Sequence, residues 1–187
     1  PNSPTDFDYL TVYDLIQEAG LAYDPELARQ EIADAMTEAG ATLVDGVWNY
    51  EDRPVSVKFI IRVEDERREV GDLVRNALKE AGFQVEANYQ PFAPAIQTVY
   101  SSDPKTFGWH IYTEGWGRGS AQRYDSGGIN SSYAPWLGNL PGWQEVGFWQ
   151  YENAKLDELG KKIFRGEFQD KAARDDLYRE MTKLGLD

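Results

Sequence analysis

Apolar residues fall at every second position in Val55, Val57, Phe59, Ile61 and Val63, the period of a β-strand. Ile60 adds an apolar residue to the other face, so both faces of this strand are expected to be covered. Over 65–81 the period lengthens. Val70, Leu73, Val74, Ala77, Leu78 and Ala81 recur at helical spacing, and Gly82 supplies the stop. Phe83, Val85, Ala87 and Tyr89 then alternate again until Pro91. Strand, helix and strand in succession predict a crossover unit with its two strands parallel and adjacent. Upstream, Asp24 as N-cap, Pro25 at the first helical position and Gly40 just past the end frame a helix with an inner stripe of Ala28, Ile32, Ala35 and Ala39. Asp45-Gly46 between Thr42-Leu43-Val44 and Val47-Trp48-Asn49-Tyr50 has the composition of a two-residue hairpin turn. Downstream, the pattern predicts a short helix over 92–101 and a strand through Phe107, Trp109 and Ile111. Two closing helices run through Leu156, Leu159 and Ile163, and through Ala173, Leu177, Met181 and Leu184.

Between these elements, residues 114–151 keep no period and are dense in glycine, proline, serine and aromatics. Long irregular segments inside compact domains commonly carry function. Trp109, Trp116, Trp136, Trp143 and Trp149 all lie in 107–151, together with Tyr112, Tyr124, Tyr133 and Phe148. Such rings offer stiff amphipathic faces for stacking on sugars or peptide planes. Trp109 is in strand register and is expected in the core. Trp116 belongs to no apolar period, follows the strand and sits between Gly115 and Gly117, which makes it the leading candidate for a ligand contact. Glu114, Arg118, Gly119, Arg123 and Asp125 bring both signs of charge and a close-approach glycine to the same stretch. The expected ligand-binding set is therefore Tyr112, Glu114, Trp116, Gly117, Arg118, Gly119, Arg123, Tyr124 and Asp125.

Composition narrows the chemistry. With 32 acidic against 19 basic side chains in 187 residues, the net charge of -13 disfavours nucleic acid and anionic membranes as partners. There is no cysteine, hence no thiolate metal site or cysteine nucleophile, and a single histidine, His110, expected to be structural, leaves no histidine-rich metal site. No metal, cofactor or catalytic residue is assigned. Asp103, Glu114 and Asp125 provide the carboxylates a glycosidase pair would need, but nothing in the sequence sets their separation. Gly115-Trp116-Gly117-Arg118-Gly119 has the wrong spacing and flanks for a dinucleotide fingerprint. No run approaches the roughly 20 apolar residues of a membrane span. The turn-rich opening Pro1-Asn2-Ser3-Pro4 reads as a lead-in from another domain.

Several short passages, in order, resemble one family. Tyr23-Asp24-Pro25-Glu26-Leu27-Ala28, Glu38-Ala39-Gly40 and Asp45-Gly46-Val47-Trp48 are similar to the "YDPEKA…LLAEAG…DGVW" passage of the oligopeptide/dipeptide-type (family 5) extracellular solute-binding proteins of ABC transporters. Leu78-Lys79-Glu80-Ala81-Gly82-Phe83-Gln84-Val85 resembles the family's helix-to-strand step, and Glu114-Gly115-Trp116-Gly117 its "GW" after a strand. Tyr151-Glu152-Asn153 with Leu156-Asp157 and Leu159, then Ala173-Arg174 with Leu177-Tyr178, resemble its closing helices. The resemblance implies an α/β C-terminal lobe of a bilobed (type II) periplasmic-binding-protein-like fold, a mixed sheet flanked by helices, over 23–187. Residues 1–22 would be a segment from the missing lobe, and the chain a fragment. It further implies a monomeric, extracytoplasmic protein, membrane-anchored at full length, that closes on an oligopeptide or oligosaccharide and delivers it to a permease without bond chemistry. Peptide-binding members commonly carry, three residues after the tryptophan, an aspartate that pairs with the ligand's α-amino group. Gly119 stands there, which tilts the expectation toward a neutral oligosaccharide. The rival readings are a carbohydrate-active enzyme using Glu114 and Asp125, and a sensor or adhesion domain that kept the fold.

Overall fold

The structure, a computed structural model, describes residues 6–115, 128–137 and 152–186. Along the chain run α1 (Phe7–Thr11), α2 (Tyr13–Glu18), α3 (Pro25–Glu38), β1 (Thr42–Val44), β2 (Val47–Tyr50), β3 (Arg53–Pro54), β4 (Ser56–Arg62), α4 (Arg67–Glu80), β5 (Gln84–Gln90), α5 (Phe92–Ser101), β6 (Ile111–Tyr112), α6 (Gly128–Tyr133), α7 (Ala154–Arg165) and α8 (Lys171–Leu186). Single 3-10 turns stand at Pro104–Thr106 and Pro135–Leu137. The described residues cluster into two units, 23–115 and 6–22 with 128–137 and 152–186.

In the unit of residues 23–115, β4 is the centre of a parallel sheet of order β5-β4-β6, and β1-β2-β3 form a separate antiparallel sheet. The crossover pairing expected of the strand–helix–strand run is present: Ser56 to Arg62 lie in register with Gln84 to Gln90. Phe59, Ile60 and Ile61 are consecutively buried, because α4 covers one face of β4 and α5 the other. The predicted hairpin forms with Asp45 and Gly46 both at positive φ, 49° and 80°, as its tight turn requires. A second turn with Glu51 and Asp52 at φ 48° and 59° adds β3, which the sequence pattern does not announce. Trp48 ties this hairpin to the end of α4. It is 5% exposed, and its Nε1 donates to the Ala81 carbonyl at 2.9 Å.

Three expectations need correction. The Asp24 cap of α3 forms, accepting from the Glu26 and Leu27 amides at 3.1 and 2.9 Å, yet no residue of α3 is buried and Ala28, Ala35 and Ala39 are exposed. Alanines bury little area even on an inner face, so such a stripe fixes a helix weakly. On α4, Val70 and Leu73 are 52% and 70% exposed, and the buried residue is Gly71. A Cβ on Gly71 would lie 2.5 Å from Ile61 Cγ2, so the helix is seated by backbone approach and its apolar stripe is turned aside. Phe107 is not in a strand: it is 63% exposed at φ 50°, and β6 starts only at Ile111. Trp109 does pack, with Tyr100 and Tyr112, against the cluster of Ile60, Ala95 and Val99. Gly71→Ala is expected to cost about 1–3 kcal/mol through overpacking. A urea midpoint unchanged by this substitution would show that α4 sits elsewhere.

The second unit buries Val12 and Leu15 from α1 and α2 with Leu156, Leu159 and Ile163 of α7 and Tyr178 and Met181 of α8. Both closing helices therefore form as their periodicity predicts. The Asn153 side chain caps α7 by accepting from the Leu156 amide at 2.9 Å, and Gly166 ends it at φ 69°. Residues 6–18, for which the pattern predicts no element, supply α1 and α2. They are fixed to α8 by charge: Arg174 donates to both oxygens of Asp8 at 2.7 and 2.9 Å, and Arg179 to both oxygens of Asp14 at 2.6 Å. That fork holds the exposed Asp14 carboxyl down at about 2. Residues Pro1 to Pro4, where the lead-in turn is expected, lie outside the described residues.

Candidate functional site

All three strands of the parallel sheet end at one edge, and in open α/β sheets ligands bind beyond the carboxyl ends of strands. Here β4 ends on Arg62, β5 on Gln90 and β6 on Tyr112. Register places Gln90 beside Arg62, and Tyr112 beside Ile60 one pleat back. Side chains two apart share a face, so Ile60 and Arg62 both point to the α5 side. Beyond the strand ends come Glu64 and Asp65 leading into α4, Phe92 opening α5, and Thr113-Glu114-Gly115 after β6.

This edge is tightly wired. The Arg62 amide donates to Thr113 Oγ1 at 2.9 Å, and the Thr113 amide to the Ile60 carbonyl at 3.2 Å, which carries β6 pairing past its last residue. Glu64 Oε1 accepts from the Phe92 amide at 2.6 Å, and its Oε2 from Arg62 Nε at 3.3 Å. The Phe92 amide first, and Arg62 after it, hold the Glu64 carboxyl below the usual carboxylate range. Glu114 accepts from the Tyr100 hydroxyl on Oε2 and from the Gly115 amide on Oε1, each at 2.9 Å. Burial, and next the Glu114 contact, push the Tyr100 hydroxyl far up, and the same two influences raise Tyr112. Arg67 is bound by Asp65 through both its backbone amide and its guanidinium, and it lies over Gly115. Arg67 lies so close over Gly115 that a Cβ there would require the guanidinium to shift.

Arg67 Nε and Gln90 Oε1 are buried at this edge without a hydrogen-bond partner, and the Tyr112 hydroxyl lies against the Arg62 guanidinium. Each belongs to the end of a strand or the start of the following helix. Native proteins rarely leave such atoms unsatisfied, so ordered water is expected to complete their bonding. Among the described residues, this edge offers hydrogen-bond donors and acceptors of both kinds.

Of the residues expected from sequence, Tyr112 and Glu114 are brought together here. Trp116, Gly117, Arg118, Gly119, Arg123, Tyr124 and Asp125 lie outside the described residues, as do Trp143, Phe148 and Trp149. Trp136 is described and belongs to the other unit, where its Nε1 donates to Asp157 at 3.0 Å and Phe164 meets it edge-on at 5.4 Å. Asp103 accepts from the Lys105 amide at 2.9 Å and so serves its own turn. His110 plays the structural part expected of it, its Nδ1 accepting from the Lys58 amide at 2.9 Å. The sequence pattern misses Arg62, Glu64, Arg67, Gln90 and Tyr100. A signal exists for Gln90, the polar residue that closes its alternating run before Pro91. Among the described residues no group of three or more His, Asp or Glu gathers to hold a metal, and no helix is long and apolar enough to cross a membrane.

No protein-family model and no curated protein matches the sequence. Solved structures do match its fold. The mannohexaose-bound periplasmic oligopeptide-binding protein of an oligopeptide ABC transporter from Thermotoga maritima superposes with a TM-score of 0.72 at 17% identity, covering 100% of this chain and 33% of that one. The oligopeptide-binding protein AppA of Bacillus subtilis, in complex with a nonapeptide, gives 0.66 at 17% identity with the same coverage. NikZ of Campylobacter jejuni in complex with Ni(L-His) gives 0.60 at 16% identity, covering 85% of this chain and 29% of that one. The chain thus spans about a third of the length of the proteins it matches. The likeness includes oligopeptide-binding proteins, the kind the sequence motifs resemble, and it shows the fold: mixed α/β, matching one lobe of the bilobed, type II periplasmic-binding-protein-like architecture.

Proposed function

We propose that this chain is the ligand-capturing lobe of a solute-binding protein that works outside the cytoplasmic membrane. It closes with a second lobe on an oligopeptide or oligosaccharide and hands it to the permease of an ABC importer, without bond chemistry. The observation that carries this reading is the polar carboxyl edge of the parallel sheet, on a fold shared with proteins solved with a nonapeptide and with mannohexaose. Trp116, Gly117, Arg118, Gly119, Arg123, Tyr124 and Asp125, which come after Gly115 in the sequence, complete the proposed set of ligand-binding residues with Tyr112 and Glu114.

The enzyme alternative asks Glu114 to act as an acid or base. Its carboxylate is engaged by the Tyr100 hydroxyl and the Gly115 amide, an arrangement suited to holding a charge in place. A thermal-shift panel of mixed peptides and oligosaccharides tests the proposal on a protein carrying both lobes. A true ligand at about 100 times its Kd adds about 2.7 kcal/mol of stability. Hydrolysis of a panel member under the same conditions, with no persistent shift, would favour the enzyme reading instead.

A further inference from the structure

Among the described residues β5 pairs with β4 alone, so one long side of the parallel sheet is a free strand edge. An unpaired edge is a template for another strand, and proteins blunt such edges by shortening them, by placing lysine or proline on them, or by bulging them. The other outer strands are blunted: β1, β3 and β6 have 3, 2 and 2 residues, and β3 contains Pro54. In contrast, β5 has 7 residues, no lysine and no proline, and its register with β4 runs unbroken from Gln84 to Gln90. Its one charged residue, Glu86, accepts from the Ser56 hydroxyl and stands beside Lys58 in register.

The backbone phase of β5 decides which groups are open. Gln84 donates its amide to the Val55 carbonyl and the Gln90 carbonyl accepts from the Val63 amide, so the even-numbered residues turn their backbone groups to β4. Val85, Ala87 and Tyr89 therefore turn theirs outward. An antiparallel strand centred on Ala87 would meet all three. With β5 itself as that strand, Ala87 faces Ala87, Val85 faces Tyr89, Glu86 faces Asn88 and Gln84 faces Gln90. A ring then meets a β-branched side chain, a carboxylate meets an amide, and no like charges stand opposite each other. The Tyr89 ring is already held, its hydroxyl donating to Asp72 and accepting from Arg75.

We propose that β5 is an interface for a second copy of this chain. The two strands pair antiparallel about a two-fold axis at Ala87, and the parallel sheets of both copies become continuous. This departs from the monomer that the family resemblance implies, and it does not depend on the solute-binding reading. The net charge of -13 on each copy opposes association, and one strand pair is a small contact beside the roughly 1,000 Å² of a stable interface. The dimer is therefore weak, with a Kd between about 10 µM and 1 mM, and it tightens as added salt screens the repulsion.

Sedimentation of the 187-residue chain over a concentration series tests this, with hydrogen exchange of the β5 amides as the local readout. The expected result is a monomer–dimer equilibrium in which the Val85, Ala87 and Tyr89 amides exchange freely in dilute solution and gain protection with concentration. Ala87→Pro removes an outward amide and leaves the β4 ladder intact, so it is expected to abolish the dimer while the chain stays folded. Asn88→Glu sets a carboxylate against Glu86 of the second copy on both sides of the axis. It is expected to weaken the dimer about fivefold or more, and Glu86→Lys in the same chain to restore it. A chain that stays monomeric to about 1 mM overturns the proposal, whether its own residues protect these amides or leave them open to a strand of another protein. A dimer that survives Ala87→Pro, or a loss in Asn88→Glu that Glu86→Lys does not restore, overturns it as well. If Ala87→Pro fails to fold by circular dichroism, the Asn88→Glu variants decide, because Asn88 is exposed.

Discussion

Asp8→Ala is expected to destabilise the unit built on α7 and α8 by about 3–5 kcal/mol, the range for removing one partner of a buried ion pair. Asp8 is fully buried and Arg174 nearly so, with side chains 0% and 8% exposed. The guanidinium meets the carboxylate with two hydrogen bonds at 2.7 and 2.9 Å, which offsets the cost of taking both charges out of water. Removing the carboxylate takes away both short hydrogen bonds and leaves the nearly buried guanidinium with the weaker 3.4 Å contact to Asp175. The double variant Asp8→Leu with Arg174→Met is expected to recover most of the loss, because the penalty comes from an unanswered charge and not from missing volume. Urea unfolding of the three proteins checks this. A loss under about 1 kcal/mol for Asp8→Ala would mean that the pair is open to solvent.

Trp48→Ala is expected to cost a similar amount, about 3–5 kcal/mol, in the unit of residues 23–115. The indole is 5% exposed at the junction of the β1-β2 hairpin and the end of α4, and its truncation leaves a cavity there. It also leaves the Ala81 carbonyl without its 2.9 Å side-chain donor, and the Trp48 backbone sits between bonds to Gly82 and Val55. Trp48→Phe keeps the ring and loses the donor, so it is expected to fall between the two. The measurement is again the urea midpoint, with hydrogen exchange of the β2 amides as the local readout. Unchanged protection in β2 after Trp48→Ala would refute the assigned role.

Much of this fold is legible locally. The Asp24 cap, the Asp45-Gly46 turn, the strand periods on either side of α4 and the inner stripes of α7 and α8 all depend on residues within a few positions of each other. Capping bonds, turn geometry and the burial of a periodic face are short-range interactions, and the sequence displays them directly. Of the site, Tyr112 and Glu114 are legible because a residue that follows a strand falls at a strand-end edge.

What the sequence could not decide is which faces and which distant charges meet. The stripe of Val70, Leu73 and Val74 predicts one rotation for α4, and the close seat of Gly71 on Ile61 selects another. Contact between backbone and side chain at van der Waals distance outweighs a few half-buried methyl groups. Asp8 looks like any surface acid until Arg174, 166 residues away, is placed against it. Arg62, Gln90 and Tyr112 come from three strands and become one corner only through the β5-β4-β6 order and its register. The period of a chain determines its elements. Pairing between distant elements depends on closing long loops and matching whole surfaces, and only the tertiary structure settles that.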